Sequence, residues 1–253
     1  MWYWLLKHLL VGPVLWLLGR PRVDGLQHVP ATGPVIVAAN HLAVVDSLYL
    51  CLALPRRVTF LAKQEYFTDR GLRGRINRWV MTATGQVPVD RGCENSGADS
   101  LAAAVRILER GGVWGIHPEG TRSPDGRIYR GRTGVIRVAM QTGAPVIPVV
   151  LTGTDRVNPR NRRFLRPARV RISFGRPRYF APADPQGVRR ATDELMADIS
   201  RRSGRPYVDC YAATFKAGAA RASISMEAAA HIGPTRRAVG TRYPRLSTAA
   251  QEA

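Results

Sequence analysis

PVIVAANHLAVVD, Pro34 to Asp46, decides the fold. Its first six residues are apolar throughout, small or β-branched, and too few for a helix. A strand without polar alternation leaves no face for water. Pro34–Ala39 is therefore predicted to be a strand buried on both sides, as in parallel sheets covered by helices. Asn40 and His41 stand where that strand gives way, and a helix is predicted from about Asp46 to Leu54.

Outward from this stretch the alternation continues. RVTFLAK (Arg57–Lys63) reads as a second strand and Leu72–Thr84 as an amphipathic helix. GQVPVDR (Gly85–Arg91) reads as extended, with Pro88 at odds with a central strand. Ser96–Arg110, filled by Ala and Leu and closed by Gly111-Gly112, is a predicted helix. VWGIH (Val113–His117), APVIPVVLTG (Ala144–Gly153) and RVRISFG (Arg169–Gly175) are predicted strands. Thr133–Thr142 and Gly187–Ser203 are predicted helices. Strands alternating with helices imply an α/β fold: one domain over residues 21–211, with a mixed, mostly parallel sheet flanked by helices. From Ala212 large apolar residues become scarce, so residues 212–253 are expected to form a loose tail.

Residues 1–20, MWYWLLKHLLVGPVLWLLGR, are apolar and rich in Trp but interrupted by Lys7, His8, Gly12 and Pro13. A helix of about 18 residues reaches about 27 Å, short of a hydrocarbon core of about 30 Å. A break is expected at Gly12-Pro13, because proline lacks the donor and crowds the preceding turn. The basic leader and small-residue cleavage site of a secretory signal are not recognisable. Trp2, Tyr3, Trp4 and Trp16 are types that settle at headgroup level. The segment is expected to be a monotopic, interfacial or re-entrant helical anchor on the cytoplasmic face of the cell membrane, the other reading being an ordinary buried helix of the core. The odd set of Cys51, Cys93 and Cys210, with no metal or dithiol spacing, agrees with a reducing compartment.

The 253 residues carry a formal charge of +20, from 38 basic and 18 acidic side chains. Such a balance favours polyanions or an anionic membrane surface as partner. Between Arg156 and Arg178 there are nine arginines and no acid. Phe164, Phe174 and Tyr179 are the few aromatics in or beside that run, too sparse for base stacking, which disfavours nucleic acid. An anionic lipid face, an acidic protein or a phosphate-rich ligand would each suit it.

Two segments carry candidate chemistry. In NHLAVVD, a wholly helical path would set His41 and Asp46 about 140° apart. A turn between them, with Asp46 near a helix start, would let the carboxylate hold one ring nitrogen and make the other a general base. In HPEGTRS (His117–Ser123), also at a strand end, Gly120 admits an anion to the backbone, Thr121 donates a hydroxyl and Arg122 offers a fork to phosphate. Glu119 would orient Arg122 or accept an acceptor hydroxyl. No G-x-S-x-G elbow is present, and no cysteine stands in a reactive context.

Taken together, NHxxxxD and PEGTRS resemble the glycerolipid acyltransferase family, in particular the 1-acyl-glycerol-3-phosphate acyltransferases. Gly85–Arg91 is similar to the family's glycine-to-Asp-Arg motif, and Val146-Ile147-Pro148-Val149 to its late apolar-proline strand. The resemblance spans about residues 23–210. It implies that His41 takes the proton of an acceptor hydroxyl and that Asp46 orients His41. It implies that Arg91, Glu119, Gly120, Thr121 and Arg122 hold the acceptor phosphate and glycerol, helped by Lys63 and Arg132. Val146–Val149 would shape the acyl or carrier end. The implied reaction is direct transfer from acyl-CoA or acyl carrier protein to a phosphate-bearing lysolipid, with neither metal nor cofactor. Glycerol 3-phosphate or a lyso-phosphoinositide would present the same phosphate.

His117 departs from the family, which usually has an aromatic residue such as Phe there. It reads as a histidine of the pocket wall. Two other readings remain at this point. His41, Asp46 and His117 are ligand types for a metal-dependent lipid phosphohydrolase. A basic peripheral binding protein would explain the charge but not the two strand-end motifs.

Overall fold

The structure is a computed structural model describing residues 2–90, 96–160, 162 and 164–218. The chain divides into two compact units, Met1–Phe215 and Lys216–Ala253. Of the second, residues 216–218 are described and are helical; residues 219–253, most of the expected tail, lie outside the described residues. Residues 212–215 are helical rather than loose: Ala212 is buried, and Phe215 packs against Tyr129 with ring centroids 5.5 Å apart.

The strands are β1 (Arg22–Asp24), β2 (Val35–Ala39), β3 (Val58–Lys63), β4 (Val87–Val89), β5 (Val113–Ile116), β6 (Ile128–Tyr129), β7 (Val146–Thr152), β8 (Arg171–Phe174) and β9 (Tyr207–Val208). Seven form one sheet in the order β1-β8-β7-β2-β5-β3-β4, while β6 and β9 pair separately. All neighbours in the large sheet are parallel except β7 and β8. Short β4, with Pro88 at its middle, lies at the sheet's edge, where a missing donor costs no ladder bond. The sequence reading overlooked β1, exposed at each of its three residues, and the two-residue β6 and β9, because strands this short show no periodicity.

The helices are α1 (Trp2–Leu5), α2 (Val11–Gly19), α3 (Asp46–Ala53), α4 (Glu65–Thr68), α5 (Gly71–Thr84), α6 (Ser96–Glu109), α7 (Gly134–Thr142), α8 (Thr154–Val157) and α9 (Pro185–Ser203). Every residue of β2 is buried. Val35, Val37 and Ala39 pack into one core with Leu15 and with Tyr49 and Leu50 of α3. Ile36 and Ala38 pack into the other, built from residues of α6, α7 and α9. Alternate side chains of one apolar strand thus feed two helical layers.

The N-terminal helix does not break at Gly12-Pro13. Leu6–Leu10 form a π turn joining α1 to α2, and Val11 N–H bonds to Leu6 O. The wider turn ahead of Pro13 relieves the clash that proline would make in a regular helix. A side chain at Gly12 would strike the Lys7 carbonyl. One face of this helix is anchored: Tyr3, Leu6, Leu15 and Gly19 are buried, Tyr49 Oη donates to Leu15 O at 3.0 Å, and Lys7 Nζ donates to Leu54 O. The other face exposes Trp2, Leu9, Leu10, Trp16 and Leu17. Helix α5 continues it with exposed Leu72, Ile76 and Trp79, the last meeting Trp2 edge-to-face at 5.5 Å. No helix among the described residues is long and apolar enough to cross a membrane.

Candidate functional site

The site forms where β2 and β5 end side by side. Ala38 lies opposite Ile116, so the loops that follow, from Asn40 and from His117, leave the same edge. Asn40 holds the first loop. It is fully buried, its Nδ2 donates to Leu151 O at 3.0 Å, and its Oδ1 accepts from Leu151 N at 2.8 Å. These two bonds continue the ladder to β7 after β2 has ended. A role for Asn40 was missed from sequence, although an amide closing a fully apolar strand is a usable signal.

Between His41 and Asp46 the chain turns, and α3 begins at Asp46. The carboxylate therefore points back. Its Oδ2 accepts from Leu42 N at 2.6 Å and Ala43 N at 2.8 Å, and lies 2.9 Å from His41 Nδ1. A carboxylate oxygen already holding two N–H groups is an acceptor, so Nδ1 carries the proton and Nε2 keeps its lone pair. Asp46 is fully buried, whereas the His41 side chain retains 19% of its exposure. The pair is thus a protected anion behind a reachable base.

Glu119 ties the two loops to the strand that follows. It is buried at 2% exposure; Oε1 accepts from His41 N at 3.0 Å and Oε2 from Tyr129 N at 3.1 Å. Both carboxylate oxygens thus brace backbone, joining the two loops to β6. Ser123 N donates to His41 O at 2.7 Å, so both polar backbone groups of His41 are held by the second loop.

Of the other residues expected in the site, Gly120, Thr121 and Arg122 belong to the second loop. Gly120 has φ +73°, and a Cβ there would come within 2.9 Å of Arg132 Nε, so glycine admits the guanidinium over the loop. Arg132 also lies over the Tyr211 ring at 5.5 Å. Thr121 and Arg122 are half-buried, and Arg122 has no acidic partner among the described residues. Lys63 ends β3, two strands from β2, and makes a loose, exposed pair with Glu65 at 3.7 Å. Arg91 lies outside the described residues, as does Cys93. Val146, Ile147 and Val149 are buried in the two cores.

His117 is stacked face to face on His41, with centroids 4.0 Å apart and planes within 9°, and Phe60 covers its other side at 5.7 Å. Its Nδ1 lies 3.1 Å from Ala39 O and 3.0 Å from Asn40 O, so Nδ1 donates; Nε2 then accepts from Ser47 Oγ at 3.1 Å. Parallel rings aim their in-plane lone pairs along paths that do not converge, and both nitrogens of His117 are occupied. The metal-ligand trio considered from sequence therefore finds no support in this geometry. Among the described residues no group of three His, Cys, Asp or Glu side chains could hold a metal ion.

Burial, reinforced by the neighbouring His41 ring, pushes His117 down to about 3, against the opposing pull of Asp46 and the two carbonyls. An unfolded histidine titrates near 6.5. The unfolded chain therefore binds a proton that the folded one refuses. This part of the stability is full above about pH 6.5 and is lost as pH falls towards about 3, by up to about 1.4 kcal/mol per pH unit. His117→Phe keeps a ring in the stack but does not titrate. In urea unfolding at pH 7, 5 and 4, the variant should lose less stability on acidification than the parent. An equal loss in both would show that His117 is not held neutral.

Residues 20–152 match the family described as Acyltransferase. A chloroplastic 1-acyl-sn-glycerol-3-phosphate acyltransferase of Brassica napus is 30% identical over 65% of this chain and 47% of its own length. A 1-acyl-sn-glycerol-3-phosphate acyltransferase of Bacillus subtilis is 27% identical over 65% of this chain and 76% of its own. The chain spans about half the length of the plastid relatives it matches, 47% and 45%. The crystal structure of the 1-acyl-sn-glycerophosphate acyltransferase PlsC of Thermotoga maritima superposes with a TM-score of 0.59 at 26% identity, covering 74% of this chain and 73% of that one.

Proposed function

This chain belongs to the acyltransferase family, and from that premise we propose that it moves a fatty acyl group from a thioester to the free hydroxyl of 1-acyl-glycerol 3-phosphate, giving phosphatidic acid. The observation that carries the reading is the 2.9 Å contact between His41 Nδ1 and the buried carboxylate of Asp46, which leaves Nε2 as a base at the edge of the sheet. His41 Nε2 takes the hydroxyl proton as the oxygen attacks the thioester carbonyl. Asp46 stabilises the imidazolium. The tetrahedral intermediate collapses, the C–S bond breaks, and the departing thiolate takes the proton from His41. The proposed transfer is direct, and it agrees that burial raises the Cys51 thiol to about 11, which makes that thiol a poor nucleophile.

Arg122 and Arg132, with Lys63, Thr121 and Arg91, are proposed to hold the acceptor phosphate, with the Gly120 backbone admitting it. The relatives' names support this acceptor. The test is release of free thiol, with mass spectrometry of the product, from acyl-CoA and acyl carrier protein against lysophosphatidate, glycerol 3-phosphate and lysophosphatidylinositol. Phosphatidic acid should dominate. Faster use of another acceptor would reassign the phosphate-bearing partner, and no thiol release with any of them would sink the reading.

The exposed apolar face of the N-terminal helix and α5, with Arg75 and Arg78 exposed beside it, is proposed to rest in one leaflet at the cytoplasmic face of the cell membrane. Trp16 and Leu17 are 61% and 65% exposed, so their replacement costs the fold little. Burying either in lipid is favourable by about 1.5–3 kcal/mol. Trp16→Ser with Leu17→Ser should therefore weaken co-sedimentation with vesicles about tenfold or more at unchanged circular dichroism. Undiminished sedimentation would place the contact elsewhere.

A further inference from the structure

An open recess of about 390 Å³ lies at the edge of the sheet, lined by Arg20, Arg22, Thr152, Arg169, Val170 and Arg171. Two backbone bonds build it: Val170 N donates to Gly19 O at 2.8 Å, and Arg22 N to Val170 O at 2.9 Å. They draw the end of the N-terminal helix, β1 and the approach to β8 together. Arg171 has an exposed partner, Asp24, at 3.3 Å; the other three arginines have no acidic partner among the described residues. Arg20 is the sole non-glycine described residue with positive φ, at +40°, in a helix-capping position where glycine is usual. A guanidinium kept at a strained position points to use of its charge.

The register locates the recess relative to His41. Val149 of β7 lies opposite Ala39, so Thr152 stands within about one residue, roughly 3 Å, of the level of His41. Thr152 lies opposite Arg171, and Arg171 opposite Arg22. Strands about 4.8 Å apart then set Arg171 about 10 Å and Arg22 about 14 Å to the side of β2. The acceptor cannot bridge that gap, because its free hydroxyl and its phosphate ester sit on adjacent carbons. In a coenzyme A thioester, by contrast, the sulfur and the pyrophosphate are separated by a pantetheine arm. That arm has the reach of about four residues of extended backbone, on the order of 15 Å.

We propose that the recess is a second phosphate site, separate from that of the acceptor, which takes the clustered phosphates of a coenzyme A thioester donor. The assignment to a donor rests on the acyl-transfer reading. Guanidinium forks suit both a pyrophosphate and a phosphomonoester. An anionic lipid headgroup is the other source of the same chemistry, and the experiment separates the two.

The variants are Arg22→Gln with Arg169→Gln, both exposed positions, and Arg20→Gly, which relieves the backbone. With oleoyl-coenzyme A, the double variant should show a KM raised about tenfold or more and little change in kcat. With oleoyl-pantetheine, which has no phosphate, it should match the parent. Arg20→Gly should raise the KM for oleoyl-coenzyme A without lowering Tm. Equal losses on both donors, or no change on either, would overturn the proposal. So would weaker sedimentation with phosphatidylglycerol vesicles at an unchanged KM for oleoyl-coenzyme A, which would make the recess a headgroup site. Calorimetric titration with free coenzyme A needs no turnover. Binding lost in the double variant, in a protein that releases no thiol, would uphold the site and refute acyl transfer; no binding by the parent would refute the site.

Discussion

His41→Ala is expected to lower kcat/KM for acyl transfer by about 10²–10⁴, the range supplied by one positioned general base. The side chain is partly exposed, so its removal opens no deep cavity, and Tm should change little. Asp46→Asn is the sharper companion. The amide oxygen can take the place of Oδ2 and still accept from Leu42 N, Ala43 N and His41 Nδ1. The geometry survives while the charge that stabilises the imidazolium is lost. A fall in kcat of about 10² or more with an intact fold is expected. Single-turnover thiol release at saturating acceptor measures both variants. A folded His41→Ala protein within about tenfold of the parent rate would remove His41 from the role of base.

Glu119→Gln is expected to reduce both stability and activity, although it changes the side chain by one atom. Oε1 and Oε2 each accept a backbone N–H, from His41 and from Tyr129. Glutamine can accept one of them; its NH₂ must then face the other donor inside the protein. One buried N–H left unpaired costs about 1–3 kcal/mol, and for a chain of this size each kcal/mol lowers Tm by about 2–4 °C. Glu119→Ala leaves both N–H groups unpaired and should cost about twice as much. The same contact fixes the backbone of His41, the proposed base, so kcat should fall at least tenfold even where the protein remains folded. Unchanged stability with a higher KM for lysophosphatidate would mean that Glu119 serves the acceptor directly rather than the scaffold. Thermal melts and acceptor titrations on the same samples separate these outcomes.

Much of the fold was legible because burial on both faces leaves a mark in composition. The apolar run before Asn40 became β2, buried at every residue, and the segments read as strands around it became the rest of the sheet's core. The N-terminal helix was misread at Gly12-Pro13, since a π turn depends on which face packs against Tyr49 and Leu54, not on proline alone. The site was legible as a pair of strand-end motifs. Its internal division of labour was not. Glu119 was read only as a partner for Arg122 or for a hydroxyl, and the structure also has its oxygens bracing backbone. His117 read as pocket wall, and the structure stacks it on His41 with both nitrogens in use.

Periodicity, turn residues and two short motifs were enough to establish the α/β alternation and the family, because each depends on neighbours within a few positions along the chain. Strand order does not. The sheet places β5 beside β2 and sends β7 and β8 to the other side. That arrangement alone brings residues from 41 and 117 into one stack, and residues from 20, 22, 169 and 171 into one recess. Contacts between segments so distant in sequence are set by which faces the whole core must bury, and they exist only once the sheet is assembled.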